Sequence, residues 1–328
     1  MYSTEVGPDE NIVCKLDLYR GREPYLQFET DIMDRIGIDA EINTHTYEAL
    51  DTQLRATKDM PLRTVHLRAD PGEPFNYNFN TPDQQVARDS AYRLSELLDT
   101  YGDKARGFIL HEERGGEGRM TEAEKDNYAA ALSRIDGKGT LFLEYCSSDP
   151  DDWVDVISRV TSDSVSACVD IGHLYQHFRA QKGLDRDGAV ERTRDVVDRV
   201  SKIGKPVHFH VHDCDMTQGH PWYGIPDHLP LGDGELGLEG IKDVIEPAYR
   251  NLGTDKVTYN IEILLRPEYS QALSKEEADD MERYAVESGK DRKEIINDAE
   301  MIKGTYESIA TEVGEFREIL DELSGKGA

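Results

Sequence analysis

The chain has 328 residues, 66 acidic against 38 basic, for a formal net charge of −28 with charged residues at 32%. No stretch approaches the roughly 18 apolar residues of a membrane span, and the N-terminus MYSTEVGPDENIV lacks the basic-then-apolar layout of a signal peptide, so a soluble cytoplasmic protein is expected. Such a charge repels phosphate backbones at long range, which argues against a dedicated nucleic-acid binder.

Cys14, Cys146, Cys168 and Cys214 are widely spaced in a long chain and read as reduced thiols packed as small hydrophobes, with no disulfide framework. The acidic residues are spread through nearly every segment and form no single tail. That pattern resembles the uniformly acidic surfaces of salt-loving archaeal proteins.

Apolar runs of strand length are expected at residues 12–16, 39–42, 64–67, 107–110, 140–143, 166–169, 206–211 and 258–263. Helical periodicity is expected between them, at 24–36, 47–57, 82–100, 121–135, 151–161, 190–203 and 238–252. Two of these helices start with capping signals: Thr81-Pro82 as N-cap and N1, and Thr121-x-x-Glu124 as a capping box. Strands alternating with helices imply parallel pairing through helical crossovers, and eight such units close a (β/α)8 TIM barrel with its chemistry at the C-terminal strand ends. The barrel is expected over residues 10–290, with residues 275–288 serving as its eighth helix. Residues 291–328 are expected to be a surplus helical extension that packs on the barrel or on a partner subunit of a homo-oligomer.

The residues at the strand ends carry the chemistry. His66 ends the third strand, His111 follows the fourth, Glu144 the fifth and Asp170 the sixth, while His210 and Glu262 lie late in the seventh and eighth. A parallel strand is normally apolar throughout and a buried unpaired carboxylate is costly, so six such ends point to a shared divalent cation that neutralises carboxylates and accepts imidazole nitrogens. In the seventh strand the period-2 rule puts His208, His210 and His212 on one face. His210 has the depth of a ligand; His208 is expected to fill a core layer and His212 to lie beyond the strand end.

The segments LFLEY (Glu144), VDIGH (Asp170, His173), HVHD (His210), DHLPLGDGELG (Asp227, His228) and NIEI (Glu262) resemble, in order and spacing, the serial motifs of the xylose isomerase-like TIM-barrel superfamily over residues 12–265. The resemblance to its ketose epimerases implies that Glu144, Asp170, His210 and Glu262 hold one divalent metal (Mn2+, Mg2+, Co2+ or Zn2+). It also implies that Glu144 and Glu262 act as acid and base on a metal-bound enediolate, and that His173 contacts substrate oxygens. The substrate is then a small sugar, sugar phosphate or polyol derivative. The alternative is an endonuclease IV-like phosphodiesterase acting at abasic DNA sites. In those members His66, His111 and Glu144 match a second metal site, while His173, His228 and an aspartate two residues before that histidine match a third. Here that position is Pro226 and the acid is Asp227. The arginine that many ketose epimerases carry just beyond the seventh strand is replaced by Asp213-Cys214-Asp215.

The glycines Gly232, Gly234 and Gly237 precede a helix and either present N–H groups to a phosphate or form a tight loop. His45, His177 and His220 have no partner spacing and are expected at the surface or in loops. Trp222 and Tyr223 are expected over the mouth, and Trp153 in packing.

A charge of −28 on one barrel destabilises the compact state by self-repulsion unless salt screens it, and the Debye length falls from about 10 Å at 0.1 M to about 3 Å at 1 M. The thermal midpoint should therefore rise steeply with KCl; a midpoint that stays flat between low and molar salt refutes the salt-adapted reading.

Overall fold

Alternation of β-branched strand segments with amphipathic helices yields a closed parallel barrel of eight strands in sequence order. The computed structural model describes residues 11–17, 25–68, 74–112, 119–216, 228–264 and 267–325. The strands are β1 Ile12–Asp17, β2 Asp39–Thr44, β3 Arg63–Leu67, β4 Gly107–His111, β5 Leu141–Glu144, β6 Val165–Asp170, β7 Val207–Val211 and β8 Val257–Ile261, with β8 closing on β1. The helices are α1 Leu26–Ile36, α2 Tyr47–Ala56, α3 Gln84–Tyr101, α4 Glu122–Leu132, α5 Pro150–Arg159, α6 Ile171–Gln176, α7 Arg186–Ser201, α8 Gly237–Leu252, α9 Lys275–Ser288 and α10 Arg292–Leu323. Among the described residues, no helix is long and apolar enough to cross a membrane.

Local capping explains where the observed boundaries depart from the expected ones. The capping box of Thr121 and Glu124 is present. The expected cap at Thr81 is not: the carboxylate of Asp83 accepts from the Gln85 and Val86 N–H groups and starts α3 there, while the Thr81 hydroxyl accepts from Asp83 N–H in the preceding turn. The sequence reading also missed α6, which runs straight out of β6 because the Asp170 carboxylate caps it through His173 N–H. It continues into a π-helical turn, His177–Gln181, in which His177 is buried against Phe178 and is not a surface or loop residue as expected.

The last helix packs on the barrel, one of its two expected placements, and it covers the β8–β1 seam where α9 was expected as the eighth helix. The long α10 lies on the β8–β1 seam: Phe316 packs edge-on against Tyr259 of β8 with ring centroids 4.9 Å apart, and the Tyr306 hydroxyl donates to the Lys15 carbonyl of β1 at 3.0 Å. Glu312 accepts from Leu231 N–H at 3.0 Å, and the Tyr25 hydroxyl donates to Asp298 at 3.2 Å. Residues 267–271 cross α10 so closely that a Cβ at Gly304 would stand 1.5 Å from the Tyr269 carbonyl oxygen. By contrast α9 buries only Met281 and Ala285. The reason lies in the apolar spacing of Ile295, Ile302, Ile309, Val313, Phe316 and Leu320, which gives α10 a continuous stripe that α9 lacks.

Most apolar side chains pack between the sheet and the helices. Among the described residues, Ile109, Phe142 and Cys168 form an apolar cluster inside the barrel, and much of the interior is occupied by buried polar residues, among them Glu41, Thr64, His66, Glu144, Asp170, His208, His210, Thr258, Asn260 and Glu262. None of the four cysteines is in a disulfide, and Trp153 is buried edge-on against Tyr145.

Because Phe316 is fully buried on the β8–β1 seam, Phe316→Ala should lower unfolding stability by about 3–5 kcal/mol in denaturant titration. A loss below about 1 kcal/mol, typical of a peripheral extension, would contradict the seam assignment.

Candidate metal centre

Strand alternation and register bring the polar strand ends to one level. His111 is the Cα partner of Glu144 and Asp170 the partner of His210. Inward-facing residues recur at every second position, so His208 lies one layer below His210.

His210 is the hub of the cluster. Its Nδ1 is 2.7 Å from Glu262 Oε2, 3.3 Å from Glu144 Oε1 and 4.0 Å from Asp170 Oδ2. Its Nε2 faces the other way, 3.2 Å from Glu41 Oε1. Glu144 Oε2 lies 3.3 Å from His66 Nε2 and 3.4 Å from His111 Nε2. Asp170 Oδ1 sits 3.0 Å from His212 Nε2 and accepts from His173 N–H at 2.7 Å. His212 stacks on His228 with ring centroids 4.3 Å apart, and its Nδ1 accepts from His228 N–H at 2.9 Å, which leaves the proton on Nε2 to donate to Asp170. His228, at φ 56°, reaches Glu262 Oε1 with its Nε2 at 3.3 Å. Lys15 Nζ pairs with the same Glu262 oxygen.

Burial and neighbouring charges act against each other on Glu144, Glu262, His210 and His111 at this mouth. Burial alone opposes ionisation of Glu144, but the charges of His210, His111 and His66 outweigh it and hold the carboxyl far below the usual range. Glu262 is lowered in the same way, with burial overcome by Lys15 and His210. Burial likewise opposes protonation of His210, yet Cys168 and the carboxylates of Glu144, Glu41 and Glu262 raise its pKa well above the ordinary value. Burial pushes His111 down to about 4, so its ring is neutral at physiological pH. Even so, Glu144 Oε2, Asp170 Oδ2, Glu262 Oε2 and both ring nitrogens of His66 and His210 are buried without an aligned hydrogen-bond partner.

Three carboxylates converging on one imidazole nitrogen form a donor set suited to a divalent cation. Ligand atoms of Glu144, Asp170 and His210 lie within 4.8 Å of one another; Glu262 is not part of that group, but its Oε2 lies 2.7 Å from His210 Nδ1. The residues present therefore fit a metal. Other groups within the same limit include His66, His111 and Glu144, and Glu41, His66 and His210.

Of the candidate site residues expected from sequence, Glu144, Asp170, His210 and Glu262 meet at this mouth, with His66, His111, His173 and His228 around them. Asp227, Trp222, Tyr223 and His220 lie outside the described residues. His208 fills a core layer, donating through Nε2 to Glu41 at 2.8 Å and accepting from Thr258 at Nδ1, 2.7 Å away. Sequence reasoning missed Glu41 in DAEINT and Lys15 in IVCKLD. The signal was present, since a charge in the middle of a parallel strand has no water to face.

The LGDGELG loop is a tight turn whose donors are already engaged. Asp213, itself buried, accepts from the N–H groups of Gly232, Leu236 and Gly237 at 3.2, 3.0 and 2.9 Å. A Cβ at Gly234 would come within 2.3 Å of the same carboxylate.

A family model described as a xylose isomerase-like TIM barrel matches residues 26–254. Among solved structures, an L-ribulose 3-epimerase superposes with a TM-score of 0.50 at 14% identity, covering 90% of this chain and 92% of its own. The apo form of the 3-keto-D-glucoside 4-epimerase YcjR from E. coli superposes with a TM-score of 0.50 at 13% identity, covering 77% of this chain and 92% of its own. These likenesses concern the fold. No curated protein matches the chain significantly by sequence.

Proposed function

Since the chain belongs to the xylose isomerase-like TIM-barrel family, we propose that it is a divalent-metal-dependent isomerase or epimerase of a sugar, sugar phosphate or polyol derivative. The observation that carries this reading is the convergence of Glu144, Asp170 and Glu262 within 4.0 Å of His210 Nδ1, with an oxygen of each carboxylate left without a hydrogen-bond partner. Glu144, Asp170, His210 and Glu262 would hold the cation. When bound, it supplies a Lewis acid that polarises a substrate carbonyl and neutralises the converging carboxylates.

The chain's own residues supply the proton transfer. Glu144 on β5 and Glu262 after β8 approach the centre from different walls of the barrel, so one takes the proton of a carbon beside a carbonyl and the other returns it on the opposite face. Both are ionised in the ground state, Glu262 with the help of Lys15. His111, neutral at physiological pH, and His173 stand at the rim and orient substrate hydroxyls. Asp170 is fixed by His212 and by the start of α6, and it serves the metal without moving a proton. Closeness of His66 and His111 to Glu144 supports a second reading, a phosphodiesterase with more than one metal.

Proton abstraction beside a carbonyl exchanges the substrate C–H with solvent when the proton is lost before its return. Ketoses, their phosphates and inosose-type polyols incubated in D2O with Mn2+ should therefore gain deuterium at one carbon for the true substrate class. Glu144→Gln and Glu262→Gln should slow that exchange by about 10²–10⁴-fold, with metal content measured in each variant. Metal-dependent cleavage of an abasic-site duplex, strongly weakened by salt and without exchange in any sugar, would reverse the order of the two readings.

A further inference from the structure

The carboxylate of Glu41 has no place in the proposed reaction, yet it is fully buried beneath the metal centre, in the middle of β2. Each oxygen has a distinct set of partners. Oε2 accepts from His208 Nε2 at 2.8 Å and from the Thr64 hydroxyl at 3.2 Å. Oε1 accepts from Asn260 Nδ2 at 2.9 Å and faces His210 Nε2 at 3.2 Å and His66 Nδ1 at 3.6 Å. The carboxylate is therefore held in place from β3, β7 and β8, and its Oε1 is directed at the two imidazoles above it.

A neutral imidazole carries one proton, and a metal can take only the nitrogen that lacks it. In His210 the nitrogen facing Glu144, Asp170 and Glu262 is Nδ1, so the proton must reside on Nε2. An anionic acceptor at 3.2 Å from Nε2 favours that tautomer, sets the plane of the ring and raises the basicity of Nδ1. We propose that Glu41 is a positioning residue for the metal centre: it holds His210 as the Nε2–H tautomer with Nδ1 directed at the cation, and it restrains His66 in the same layer. This inference rests on the metal reading above. It explains why a charged residue stands where a barrel strand would normally place a branched apolar side chain.

The test is metal binding by the intact protein, read by calorimetry with Mn2+ and Co2+ and by the visible spectrum of bound Co2+, independently of any substrate. Glu41→Gln keeps the volume and one acceptor but removes the charge; Glu41→Leu removes both. Folding is monitored by circular dichroism and thermal midpoint without metal, and Thr64→Val serves as a control that loosens the same network without changing its charge. Expected are one metal per chain in the wild type, about 10- to 100-fold weaker binding in Glu41→Gln with an altered Co2+ spectrum, and near wild-type affinity in Thr64→Val. If Glu41→Leu does not fold, Glu41→Gln alone decides. Wild-type affinity and spectrum in folded Glu41→Gln would overturn the inference while leaving the metal reading intact. Loss of one of two bound metals would overturn it by making Glu41 a ligand. A wild-type chain that binds neither metal would remove the metal reading itself.

Discussion

Three carboxylates share one end of a closed barrel with almost no water to solvate them, and the polar interior follows from the need to compensate that charge. An isolated buried carboxylate costs several kcal/mol even after relaxation, so a cluster of them is stable only with compensating charge and hydrogen bonds. In the protein alone that role falls to His210, which takes up a proton, and to Lys15 against Glu262. A divalent cation at the same point would provide more charge in less space and would free His210 to be neutral. Metal and proton would then compete for one nitrogen, which is how binding and protonation are commonly coupled at such centres.

The layers around the centre have the same purpose. His212 and the start of α6 fix Asp170, Glu41 sits against the far nitrogen of His210, and His208 with Thr258 supports Glu41 from below. This polar column occupies space that an ordinary barrel fills with Val, Ile and Leu, which explains why the interior apolar cluster is reduced to Ile109, Phe142 and Cys168. The stability of the fold rests instead on the layer between sheet and helices, closed at the β8–β1 seam by α10.

Most of this was legible in the sequence because the two governing patterns are local. Alternation of strand and helix periods gives the barrel, and a titratable residue at the end of six successive strands gives the mouth. What escaped was non-local or masked by short range. Glu41 and Lys15 sit inside strands whose other residues read as ordinary, and their purpose is visible only once β2, β7 and β8 are side by side. The six-residue helix α6 is too short for a periodic signal and depends on Asp170 as its cap. Chain order suggested the nearer segment, α9, as the eighth helix, whereas the length of the apolar stripe decides that α10 covers the seam.

The central claim is that Glu144, Asp170, His210 and Glu262 share one cation. Diffraction at the manganese absorption edge from crystals grown with Mn2+ tests it most directly. The account predicts a single anomalous peak with these four side chains at about 2.0–2.3 Å, His210 binding through Nδ1. No peak between them, or a peak held by His66 and His111 with Asp170 and Glu262 unliganded, would contradict it.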